Sequence, residues 1–125
     1  QLVILEPNET LDTDEIEFES LIKLKLLYPS MSRENDSAEA MLFENTYKAE
    51  NKITPSVFAI RGFDVTFDTL MRLSQTTSFL DSLSIQSTEQ VESKFEYVKT
   101  ENGGYANKGT YILYYDADLK VKVAK

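Results

Sequence analysis

The sequence predicts a mixed α/β domain: two helices on a sheet, closed by an antiparallel meander at the C-terminus. Three observations carry that expectation. Apolar residues recur at helical spacing in two consecutive stretches, residues 36–50 and 54–74. Short β-branched and aromatic runs flank them on both sides. Between about residue 88 and the end, the pattern changes from a period of 3.6 to a period of two.

The first run, Leu2 to Leu5, is closed by Pro7 and Asn8, which predicts a strand buried inside a sheet. Glu6, Glu9, Asp12, Asp14, Glu15, Glu17 and Glu19 follow with no basic residue among them, the composition of a solvated loop. Ile22, Leu24, Leu26 and Tyr28 then alternate with Lys23, Lys25 and Leu27 up to Pro29, predicting a half-buried strand with its lysines in water.

Asp36 and Glu39 resemble a capping box, and Ala40, Phe43 and Tyr47 supply the apolar face of a helix reaching about Glu50. Thr54 and Pro55 give a second start signal, for a helix to about Ser74 with Ala59, Phe63, Phe67, Leu70 and Leu73 as its core stripe. Gly62 lies inside that helix at a cost of about 1 kcal/mol against alanine, which predicts something packed closely upon it. Phe79 to Leu83 suggests one further helical turn.

Beyond the polar stretch 74–88, Phe95 and Tyr97 alternate with polar neighbours, and Asn102, Gly103 and Gly104 supply a turn. Thr110 to Tyr115 is strongly strand-forming, and Asp116 to Asp118 turns the chain into Leu119, Val121 and Val123. A long-looped hairpin from residues 94–98 to 110–115, followed by this last strand, makes the expected meander. At 125 residues one domain suffices.

Composition narrows the function. The formal charge of −8, with no basic stripe, opposes nucleic acid as a partner. No apolar run approaches the 18 residues of a membrane span, so the chain is not expected to cross a membrane, and no signal peptide is read at Gln1. Absence of histidine and cysteine removes the commonest general base, thiol nucleophiles and most transition-metal ligands. Asp12, Asp14 and Glu17 could form a catalytic carboxylate pair or hold Ca²⁺, but no cleft is legible and the glycine and glutamate of a calcium loop are missing. The expectation is therefore no catalytic residue, no metal and no cofactor.

Arg61, Asp64, Asp68 and Arg72 fall at spacings of three and four on the second helix, opposite its aromatic stripe. They read either as a salt-linked solvent face or, at the helix start, as charges bordering a ligand cleft.

Residues 47–73, YKAENKITPSVFAIRGFDVTFDTLMRL, together with 107–116, NKGTYILYYD, resemble the C-terminal lobe of type I periplasmic binding proteins, the leucine/isoleucine/valine-binding group. Gly62, Phe63 and Asp64 stand where that family has a Gly-Tyr-Asp-like triplet opening a long helix, and the likeness extends over about residues 18–123. The resemblance implies a piece of a larger protein: part of one lobe, with a small polar ligand such as an amino acid held once the missing lobe completes the cleft. It places Phe58 and Arg61 as candidate ligand-binding residues, Phe58 reading equally as a core residue. The same stretches look like a subgroup fused to lysin-motif repeats in Bacteroidetes envelope proteins, which implies a periplasmic or cell-envelope location and association with peptidoglycan through other domains. On this reading the chain is a non-catalytic binding or sensor module. The alternative is a structural domain mediating envelope assembly or dimerisation. Either leaves an exposed apolar patch where the partner docks.

Overall fold

The computed structural model describes residues 1–5, 16–118 and 120–124. Helices and antiparallel sheets are both present, in two compact units: residues 1–34 with 110–125, and residues 35–109. Most of the acidic run, including Asp12 and Asp14, lies outside the described residues, as does Leu119.

The first unit is a three-stranded antiparallel sheet with a short helix. Strand β1 (Leu27–Ser30) pairs with β6 (Tyr111–Tyr115), which pairs in turn with β7 (Val121–Val123). The register sets Tyr28 opposite Leu113, and these two with Tyr111 form a buried cluster lined by Ile4, Tyr115, Val121 and Val123. The strand-forming run 110–115 and the last hairpin are therefore as the alternation predicts. The expected meander is not: β6 takes β1 and β7 as neighbours, whereas residues 97–99 pair elsewhere.

Residues 18–23 form helix α1, across the end of the expected loop and the start of the strand predicted from Ile22 to Tyr28, of which only the end survives, in β1. Alternation at Ile22, Leu24 and Leu26 is overridden because Leu21 and Leu26, five apart, are the buried pair, while Leu24 is exposed. A helical turn ending in a left-handed residue brings those two together. Lys25 takes that conformation at φ 49°, its N–H donates to Ile22 O, and Leu26 N–H donates to Leu21 O, the paired bonds of a Schellman stop.

Leu2 to Leu5 also departs from expectation. The segment runs along the edge of β1 through one parallel bridge, Val3 with Leu27, and only Ile4 packs on the core; Val3 is 61% and Leu5 89% exposed.

The second unit opens with helix α2 (Ala38–Asn51), capped by Ser37, whose hydroxyl accepts from Ala40 N; the cap stands one residue after the predicted Asp36. Helix α3 (Val57–Gln75) is capped by Ser56, two residues after the predicted Thr54, and the short α4 (Phe79–Ser82) by Ser78. Two small hairpins follow, β2 (Thr88–Glu89) with β3 (Lys94–Phe95), and β4 (Tyr97–Lys99) with β5 (Tyr105–Asn107). Gly103 and Gly104, at φ 80° and 86°, make the second turn as the sequence predicts.

Asn107 fastens one hairpin to the other. Its Oδ1 accepts from Glu96 N and Gly109 N, and its Nδ2 donates to Lys94 O. Gly109 is required by contact: a Cβ there would lie 2.2 Å from Lys94 O.

Candidate functional site

Two features of the molecule concentrate chemistry, one in each unit. The first is a pocket of about 330 Å³ in the first unit, lined by Gln1, Ile22, Lys25, Leu27, Tyr114, Tyr115 and Asp116. Three segments build it. The Schellman stop turns Lys25 out beside Ile22, the end of β6 delivers Tyr114 and Tyr115, and hydrogen bonds from Leu2 N to Leu24 O and Leu27 N to Leu2 O hold the N-terminal segment alongside. Its walls are mainly apolar and aromatic, with one cation and one anion, the composition of a small-molecule site near the lower end of the usual size range.

Lys25 forms no ion pair among the described residues. Asp116 accepts from Lys122 Nζ and Ala117 N, contacts that hold its carboxyl below the usual aspartate range, the lysine being the larger cause. With about four acceptor positions, a carboxylate so engaged retains room for another donor. Behind the pocket wall, Tyr115 packs on Tyr28 with ring centroids 5.7 Å apart and on Phe18 at 4.9 Å. Burial, followed by the interactions with Tyr115, pushes the Tyr28 hydroxyl up to about 12.

The second feature is α3, whose polarity is the reverse of the sequence expectation. Asp64, Asp68 and Arg72 are 0%, 0% and 1% exposed, with Ser82 the most enclosed residues described in the unit, whereas the expected core stripe is left half-open: Phe63, packed on Phe43 of α2 at 4.4 Å, is 38%, Phe67 42%, Leu70 60% and Leu73 42% exposed. The buried charges are met by the hairpin 88–95. Asp64 accepts three backbone N–H groups, from Val91 at 2.9 Å, Glu92 at 3.0 Å and Ser93 at 2.9 Å. Asp68 accepts from Arg72 Nε at 2.8 Å, from Gln90 Nε2 and from the Thr88 hydroxyl. Arg72 donates to Ser82 O, the Thr88 hydroxyl and Phe95 O, and its guanidinium lies over the Tyr97 ring at 5.0 Å. Asp68 and Arg72 are paired with each other, and Asp64 is held by three backbone donors, so each of these buried polar groups has partners. The network thus fixes structure and leaves no acceptor or donor pointing into a cleft.

Of the residues the sequence singled out as ligand-binding, Phe58 is 77% exposed and Arg61 is exposed without a hydrogen bond or ion pair among the described residues. Both sit in the first turns of α3, in the second unit, while the pocket belongs to the first. The reading of Phe58 as core is overturned by its exposure. Gly62 has open space around it, with no atom within 4 Å of a Cβ, so the packing expected upon it is not made among the described residues. Sequence reasoning missed the pocket because its lining comes from residues about 90 positions apart; the doubled Tyr114-Tyr115 was its one local sign.

Among the described residues there is no group of acidic side chains arranged to hold a metal, and no helix is long and apolar enough to cross a membrane. No protein-family model, curated protein or solved structure matches this chain.

Proposed function

We propose that the chain is a non-catalytic ligand-binding module that takes a small zwitterion of the free amino-acid class, with the pocket of the first unit as its site. The observation that supports this reading is that one cation, Lys25, in no ion pair among the described residues, and one anion, Asp116, line the same largely apolar and aromatic pocket. A ligand carboxylate would meet the Lys25 ammonium, its ammonium the Asp116 carboxylate, and an aliphatic side chain the surfaces of Ile22, Leu27 and Tyr114. Phe58 and Arg61 contribute to this pocket in no way that supports the reading, and they are left to the resemblance alone.

The resemblance to the C-terminal lobe of type I periplasmic binding proteins extends the proposal. On it, the chain is part of a receptor whose further polypeptide closes over the ligand, in the periplasm or cell envelope, with peptidoglycan association through lysin-motif domains elsewhere in the protein.

A thermal-shift screen against the free amino acids and peptidoglycan fragments tests the reading. A ligand at about 100 times its Kd adds about 2.7 kcal/mol, a readily visible shift. The shift is expected to disappear in Lys25→Gly, which removes the cation while relieving the left-handed backbone. A flat screen over well-folded protein moves the assignment to the structural alternative, a domain that mediates assembly.

A further inference from the structure

The exposed face of α3 is independent of the pocket and calls for its own account. Over roughly two-thirds of its circumference, from Val65 through Phe58, Leu73, Ala59, Leu70 and Phe63 round to Met71, the helix carries no charge. All its charged residues, Arg61, Asp64, Asp68 and Arg72, fall on the remaining third, where the last three are locked to the hairpin 88–95. The residues offered to solvent on this face amount to an apolar patch on the order of 600 Å² per copy, at the upper end of what a monomer's largest patch covers and often a sign of an interaction site.

We infer that this face pairs with its equivalent on a second copy of the chain, two α3 helices packing antiparallel about a two-fold axis at Thr66. Two observations select a second copy. Sizes are self-complementary about that axis: Ala59 and Gly62, the small positions, stand as far before Thr66 as Leu73 and Leu70 stand after it, so each leucine enters the hollow opposite a small residue of the other copy. Gly62 has open space above it, although glycine weakens a helix, and a leucine of the second copy is what that space receives. Because the face is uncharged, the copies meet there without opposing like charges despite the net charge of −8.

The test is sedimentation velocity on the whole chain, with disulfide trapping made clean by the absence of native cysteine. The wild type is expected at twice its 14.3 kDa mass at micromolar concentration. Leu70→Glu and Gly62→Leu should both sediment as monomers with unchanged far-UV circular dichroism. Gly62→Leu separates specific pairing from mere stickiness: it adds apolar surface and helix propensity, so indiscriminate association would increase while a fitted interface is lost. Thr66→Cys should oxidise to a covalent dimer and Val65→Cys, off the axis, should not. A wild type that is monomeric, as it would be if the face serves another segment or another protein, overturns the inference. So does a polymer series without a discrete dimer, or a dimer that survives both substitutions.

Discussion

At the residue scale, the most consequential side chains are the three buried charges of α3. Removing one member of such a network leaves its partners ionised in the interior, at a cost of about 3–5 kcal/mol. Arg72→Met is therefore expected to lower the denaturation midpoint severely, because Asp68 would lose its ion pair and Ser82 O and Phe95 O their donors. Leu70→Ser, on the open face, should change monomer stability little. Equilibrium urea unfolding of both variants measures the contrast, and equal effects would contradict the reversed polarity of the helix. Gly109→Ala makes a second sharp case: the added carbon collides with the Lys94 backbone, so the two hairpins must part or the chain shift, and loss of a few kcal/mol is expected. Lys25→Gly should act oppositely, raising stability by about 1 kcal/mol through relief of the left-handed backbone.

Two residues of the first unit give pH dependences of opposite sign. Tyr28 has a folded pKa raised to about 12 from 10.0, so the fold favours its neutral form. Its contribution is complete below pH 10 and is lost as pH rises from there through about 12. Urea midpoints should fall over that interval, and Tyr28→Phe should flatten the fall. Asp116 has its folded pKa lowered, chiefly by the Lys122 hydrogen bond, so its contribution is present above the ordinary value of 3.8 and is lost as pH falls through the lower folded one. A ligand that uses this carboxylate should consequently still produce its thermal shift at pH 4; loss of binding by pH 5 would exclude Asp116 from the site.

At the element scale, hydrophobic periodicity located helices better than it oriented them. The spacing of Ala59, Phe63, Phe67, Leu70 and Leu73 does mark a helix, and α3 covers it. It does not identify the core, because an apolar stripe states only that something apolar should cover it, not that the covering comes from the same chain. Asp64 and Asp68 looked like solvent-facing residues since carboxylates are rarely enclosed without partners. Their partners, the N–H groups of residues 91–93 and the Thr88 hydroxyl, lie 20 to 29 positions further along the chain. The converse error occurred at residues 22–28, where period two was real but shorter than the strand it suggested. Capping signals were closer to the mark: Ser37 and Ser56 cap within two residues of the predicted starts.

At the scale of the whole molecule, the two units differ in what holds them. The first has an apolar cluster around Tyr28, Tyr111 and Leu113, and the second encloses few apolar side chains, Ala40, Leu83 and Phe95, beside its charged network. Breaking the network should accordingly act on the second unit more than on the first. Hydrogen exchange of Arg72→Met is expected to lose protection in residues 88–95 before β1 and β6; the reverse order would mean that the network contributes less than the small apolar cluster.

What the sequence by itself determined is whatever depends on near neighbours: the mixed class, the helices α2, α3 and α4 with their starts to within a few residues, the turn at Gly103-Gly104, the strand at 111–115 with its return, and the lack of histidine and cysteine chemistry. Propensity, capping and turn geometry act over a few residues, so the chain states them directly. Tertiary structure alone decided the pairing of β6 with β1, the pocket formed by residues 22–27 with 114–116, and the inward turn of Asp64, Asp68 and Arg72. Those depend on which distant donors and surfaces meet each side chain, and burial of a charge is favourable or prohibitive according to partners that no local pattern contains.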